Sequence, residues 1–185
     1  MVAEIGHFSL ILALLMAVIQ GVLPIIGAYR LTGGWVAVAK PSAYGQLLFM
    51  LISYGCLTYA FLVHDFSVLY VANNSNTALP TLYLISGVWG AHEGSLLLWA
   101  LVLSIWTGLV AAFSKSVPET TLARVLGVMG LISIGFILFL LLTSNPFARL
   151  FPAAIEGGDL NPLLQDPGLA IHPPMLYMGL SLIHI

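Results

Sequence analysis

Cysteine is almost absent from this chain: Cys56 is the only one in 185 residues. A single cysteine excludes an internal disulfide, a Cys-x-x-Cys redox pair and a Cys-x-x-Cys-His attachment site, so any redox chemistry must come from a ligand or a partner. Charge is equally scarce. Five Lys+Arg and seven Asp+Glu make up 6% of the residues, against roughly a quarter in ordinary soluble domains. A net charge of −2 and a pI near 6.1 leave no basic field to recruit nucleic acid. Apolar residues take the place of charge: 60% of the chain is hydrophobic and the mean hydropathy is +1.05. This is the composition of an integral membrane protein in contact with a lipid bilayer.

A hydrocarbon core about 30 Å thick needs roughly 20 apolar residues at a rise of 1.5 Å each. Four stretches reach that length, at about residues 8–28, 44–63, 89–113 (fully apolar from 94) and 125–143, and the apolar cores contain no Asp, Glu, Lys or Arg. A fifth, 173–185, begins near His172 or Met175 and supplies only about a dozen residues, too few to cross. The pattern predicts an all-α, multi-pass integral membrane helix bundle with four complete transmembrane helices and the start of a fifth; either the chain is a fragment or its last segment does not span. Glu4 and His7 precede the first stretch without a basic n-region or a small-residue cleavage site, which predicts a retained helix rather than a signal peptide.

The basic residues predict orientation. Arg30 and Lys40 fall in the first connection, and Lys115 and Arg124 in the third. The second connection, about 64–85, and the fourth, about 144–172, carry only Arg149 among basic residues, so they and the N-terminus are expected outside. The fourth connection is long for a bundle and rich in turn formers such as Pro162, Pro167, Gly157 and Gly158. Leu160, Leu164, Leu169, Ile171 and Phe151 make it too apolar for a free linker, so it should pack on the outer membrane surface.

His172 emerges at that outer interface, ahead of Pro173 and Pro174. A neutral imidazole there is a candidate axial ligand for haem iron, stiffened by two prolines. The same "HPP" also reads as a helix-start signal beside a solvated histidine. A second cluster lies in "GVWGAHEGSLLLWA", residues 87–100. At about 100° per residue, His92, Trp99 and Trp106 share one helix face, with Trp89 about 60° to the other side. Such a stripe can wall a flat macrocycle or simply pack against neighbouring helices. Glu93 projects about 100° from His92, so the two do not form a facing pair. Gly90 and Gly94 have the spacing that lets another helix approach closely. His7, His64, His92 and His172 all fall at the outer side. A pump or channel would place ionisable groups at several depths, and none is found mid-helix.

Four strings, "YVANNSNTALPTLY", "GVWGAHEGSLLLWALVLSIWT", "TSNPFARL" and "GGDLNPLLQDPGLAIHPPMLYMG", occur in this order, and with them the chain resembles the N-terminal portion of the CcmF/NrfE family, the haem lyase subunits of bacterial cytochrome c maturation. The resemblance implies a multi-pass protein of the bacterial inner membrane that receives haem from the chaperone CcmE. With CcmH and CcmI, such a protein attaches it to apocytochrome c at the periplasmic face. It also implies that His172 is one of two periplasmic haem ligands; for Trp89, His92 and Glu93 it supplies a family segment without a role. The family's tryptophan-rich outer motif, second periplasmic histidine and membrane histidine pair lie beyond residue 185, so this stretch by itself is not expected to form the thioether. The ending "LSLIHI" departs from the family pattern, and His184 corresponds to none of its ligands. The rival reading is a membrane redox subunit binding b haem and quinone. It requires opposed histidines deep in the hydrocarbon, which this segment lacks.

Overall fold

The computed structural model describes residues 1–183; His184 therefore lies outside the described residues. Eight α-helices account for most of the chain: α1 (Val2–Arg30), α2 (Gly33–Ala37), α3 (Ala39–Leu62), α4 (Leu69–Asn74), α5 (Thr81–Gly87), α6 (His92–Phe113), α7 (Glu119–Leu142) and α8 (Pro167–Ile183). A single 3₁₀ turn, Pro162–Gln165, precedes α8.

Four segments are long and apolar enough to cross a membrane: α1, α2 continuing into α3, α6 and α7. Each overlaps one of the stretches read from hydropathy. At 1.5 Å per residue the segments of 22 to 30 residues run about 33–45 Å, enough to cross the hydrocarbon. Their outward faces are as apolar as their inward ones: Phe8, Ile11, Leu15, Val18 and Val22 of α1 are all exposed. A helix that is hydrophobic all round and exposed on one side is suited to lipid, and the protein is a multi-pass membrane helix bundle.

Consecutive long helices are neighbours. α3 packs on α1, α6 on α3, and α7 on both α6 and α1, closing an up-down-up-down bundle. Small residues set the closest approach. A Cβ on Gly130 would stand 2.8 Å from the Gly21 amide nitrogen, and one on Gly127 would run into Ile25. The Gln20 side chain, fully buried, donates to the Leu126 carbonyl at 2.7 Å and stitches α1 to α7 at the same level. Leu10, Met50, Leu57, Phe61, Leu97 and Ile137 fill the core on the side of α4 and α5, while Ala-rich packing around Leu122 and Leu126 closes the other end.

This topology sorts charge. One end of the bundle carries Glu4, Asp65, Glu93, Glu156, Asp159 and Asp166 with Arg149 alone among basic side chains; the other carries Arg30, Lys40, Lys115 and Arg124 with Glu119. At the acidic end the two long connections fold onto each other. Leu69 N–H donates to the Ala148 carbonyl and Leu150 N–H to that of Ser67, both at 2.9 Å, and Gly158 N–H reaches the Ala72 carbonyl at 2.6 Å. Leu160 and Leu164 are buried beneath this layer, whereas Phe151 and Ile155 stand fully out. The connection is thus a packed cap rather than a free linker.

Candidate functional site

α8 begins five residues before His172. The Asp166 carboxylate accepts from the amides of Gly168 at 2.9 Å and Leu169 at 3.1 Å, and Pro167 occupies the first helical position, where its missing N–H costs nothing. This corrects the sequence expectation of a start near residue 173: the "HPP" lies inside the helix, not at its beginning. Asp-Pro is itself a start signal, competing in the sequence with the "HPP" six residues on. His172 therefore projects from the second turn of α8. It is exposed, and none of the described residues bonds to it. Its helical neighbours at three- and four-residue spacing, Leu169, Met175 and Leu176, are exposed and apolar.

An interior proline has no N–H to give the carbonyl four residues back. Pro173 and Pro174 thus leave the carbonyls of Leu169 and Ala170 without their helix partners. The Trp89 indole Nε1–H donates to the Ala170 carbonyl at 2.8 Å. Two turns further along α8, Tyr177 stacks on Trp99 of α6 with ring centroids 5.7 Å apart and planes 14° from parallel. Trp99 also meets Phe136 of α7 edge-on.

The corner between α5 and α6 runs from residue 88 to 91, so α6 begins at His92 rather than 89. Tyr70 of α4 holds this corner. Its hydroxyl donates to the Val88 carbonyl at 3.1 Å and accepts from the Ala91 amide at 3.2 Å, and burial pushes its pKa above the usual phenol range. Gly94 lies against the same hydroxyl and Gly90 against Leu160 and Leu164. These two glycines admit the chain's own loop residues rather than a second transmembrane helix.

From this corner His92 and Glu93 diverge, as their spacing requires. His92 turns toward α7: its Nδ1 is 3.1 Å from the Ser144 hydroxyl and its ring meets Phe139 edge-on. It heads an apolar groove of about 380 Å³ lined by Leu96, Ile132, Gly135, Phe136 and Phe139. Glu93 turns toward a polar cleft of about 250 Å³ with Tyr70, Asn73, Asn74 and Asn145. His7, at the start of α1, has its Nδ1 3.2 Å from the Asn145 side-chain nitrogen and its ring against Phe147.

The structure brings Trp89 to α8 and leaves His92 and Glu93 in separate pockets. No group of three or more His, Cys, Asp or Glu side chains converges among the described residues. Two tryptophans of the stripe meet the chain's own side chains or interior: Trp99 lies between Phe136 of α7 and Tyr177 of α8, and the Trp106 indole N–H is buried with no partner among the described residues. Tyr70, Ser144, Asn145 and the Ala170 carbonyl were not singled out from sequence. The partners named above lie between 18 and 138 residues away, and no local pattern announces them.

Known proteins of the same architecture are informative at this point. The chain is similar to the cytochrome c-type biogenesis protein CcmF of Pseudomonas aeruginosa, with 61% identity over 97% of this chain and 27% of that protein. For CcmF of Escherichia coli the values are 53%, 97% and 28%, and for NrfE of Haemophilus influenzae 44%, 97% and 28%. A solved structure of the cytochrome c heme lyase CcmF matches the fold with a TM-score of 0.84 at 27% identity, over 98% of this chain and 28% of that one. The chain thus spans little more than a quarter of the length of these relatives. The profile of the family described as Cytochrome C assembly protein matches residues 89–185, which include the α5–α6 corner, the packed cap and α8. By this match over more than half its residues, the chain belongs to the cytochrome c assembly protein family, in its CcmF/NrfE group.

Proposed function

We propose that this chain handles haem at the periplasmic face of the bacterial inner membrane during cytochrome c maturation, with His172 as one axial ligand of the incoming haem. One observation carries the reading: His172 is an exposed imidazole without a side-chain partner among the described residues, on a braced helix turn, among exposed Leu169, Met175 and Leu176. A lone pair for iron and an apolar rim for the macrocycle are the donor set that haem demands. His7 and His92, by contrast, have ring nitrogens at hydrogen-bond distance from Asn145 and Ser144.

Haem is the substrate here. Holding it at a fixed imidazole presents its vinyl groups to the cysteine thiols of apocytochrome c; each S–H adds across a vinyl double bond, forming one C–S and one C–H bond with no external oxidant. What the chain contributes is position and effective concentration, since the described residues at α8 include no acid or base beside His172. Haem delivery by CcmE and assembly with CcmH and CcmI are the partners this role calls for. The periplasmic assignment rests on Lys and Arg: four of five lie at the end opposite His172.

The test is His172→Ala in the full-length protein, beside His92→Ala. The first should lose haem from the purified protein and stop cytochrome maturation while changing the unfolding midpoint little, because the side chain is exposed. The second should lower the midpoint, at a cost of about 1 kcal/mol for the lost Ser144 contact, and keep haem. Retention of haem and maturation by His172→Ala would refute the assignment.

A further inference from the structure

We infer that Trp89 is the positioning residue for His172: its indole N–H takes the place of the backbone N–H that Pro174 lacks, and so fixes the rotation of α8 about its own axis. The inference rests on the haem-ligand reading of His172 and adds to it a residue that sets the ligand's direction.

Consecutive prolines in a helix interior remove two successive hydrogen bonds and loosen the turn on their N-terminal side. In α8 that turn holds Leu169, Ala170, Ile171 and His172. A ligand on an unbraced turn would sweep through a range of directions, and a positioned ligand cannot. The structure meets this cost from outside the helix. Ala170 is the buried residue of the turn, at 6% exposure, and its carbonyl receives the Trp89 N–H at 2.8 Å. Trp89 in turn sits on the corner that Tyr70 holds through Val88 and Ala91.

The second fastening has the same register. Tyr177 is seven residues beyond Ala170, which returns it to within about 20° of the same helix face, and that face lies on Trp99. His172 is two residues from Ala170, about 200° around the helix. The braced face and the ligand face are therefore nearly opposite, so fastening the one directs the other outward. A ring of similar bulk without the N–H, such as Phe at position 89, would fill the space but leave the Ala170 carbonyl unbonded beside two prolines.

A double-mutant cycle tests this because the missing donor can be restored from inside the helix. Pro174→Ala supplies a backbone N–H to the Ala170 carbonyl and makes the indole redundant. In the full-length protein in nanodiscs, Trp89→Phe should speed amide hydrogen exchange at residues 168–172 about fivefold in the absence of haem. Hemin titration followed by the low-spin Soret and electron paramagnetic resonance signals should show a similar loss of affinity. In the Pro174→Ala background both effects of Trp89→Phe should fall below about twofold. Equal effects in the two backgrounds, or no effect in either, would overturn the inference. If His172→Ala kept the low-spin signal, the ligand reading would fail and the positioning role with it; the exchange measurement alone would then report whether the brace exists.

Discussion

Gly94 sits directly against the hydroxyl of Tyr70, and that contact sets where α6 begins. Because Gly94 has no Cβ, the Tyr70 hydroxyl can bridge the Val88 carbonyl and the Ala91 amide, closing the corner from which Trp89, His92 and Glu93 leave in three directions. One small residue and one buried phenol thus hold the corner from which Trp89, His92 and Glu93 project.

Gly94→Ala should therefore be costly. The new methyl group would meet the Val88 carbonyl as well as Tyr70, and a backbone atom cannot swing away as a side chain can. A loss of about 3 kcal/mol is expected, at the upper end for overpacking. Gly55→Ala in α3 is the control, since a Cβ there meets nothing within 4 Å; it should gain about 0.5–1 kcal/mol from helix propensity. Thermal unfolding in detergent, followed by circular dichroism, reads both.

Arg149 ties the cap to two helix ends. Its guanidinium contacts Glu4 at the start of α1 and the Ser67 hydroxyl, and lies 3.6 Å from an Asp65 oxygen beyond α3. All of these groups reach solvent, so the network should be weak and screened by salt. Arg149→Gln should lower the unfolding midpoint slightly in dilute buffer. The difference from the parent should disappear near 1 M NaCl, where the Debye length is about 3 Å.

Glu156 predicts an acid dependence in the cap. It accepts from the amide of Thr77 at 3.0 Å and the Thr77 hydroxyl at 2.8 Å, and these bonds, with the Gly157 amide, hold its carboxyl below the usual range. A carboxyl whose folded pKa is depressed contributes stability above its unfolded pKa and loses it as pH falls toward the folded value. Protease cutting in the 150–160 segment should therefore rise as pH drops below about 4.3, the ordinary glutamate value. Glu156→Gln should cut faster at neutral pH and show a flatter profile; an unchanged profile would show that Glu156 does not anchor the segment.

How far the sequence could be read depends on which properties belong to a single segment. The four spans were legible because hydropathy over some twenty residues is a property of the segment alone, and each of the four coincides with a long helix of the structure to within three residues at its overhanging end. The separation of His92 from Glu93 followed from helical geometry, and the two line different pockets. The gathering of His7, His64, His92 and His172 at one end followed from counting spans. The start of α8 was also written locally, in Asp166-Pro167, but a second proline signal six residues on competed with it.

Pairings were not legible. Trp89 finds Ala170 across 81 residues, Ser144 finds His92 across 52, and Gly130 meets Gly21 across the interface of α1 and α7. Hydrogen-bond partners and close backbone approaches are relations between segments, settled when the helices dock at a particular rotation and depth. Hydropathy marked this chain as a membrane protein, and the order of its spans gathered the acidic side chains at one end of the bundle and four of the five basic ones at the other. The docking of α8 gave Trp89 its acceptor and turned His172 away from the bundle, because a carbonyl stripped of its helix partner by proline must be satisfied by whichever donor the fold brings near it.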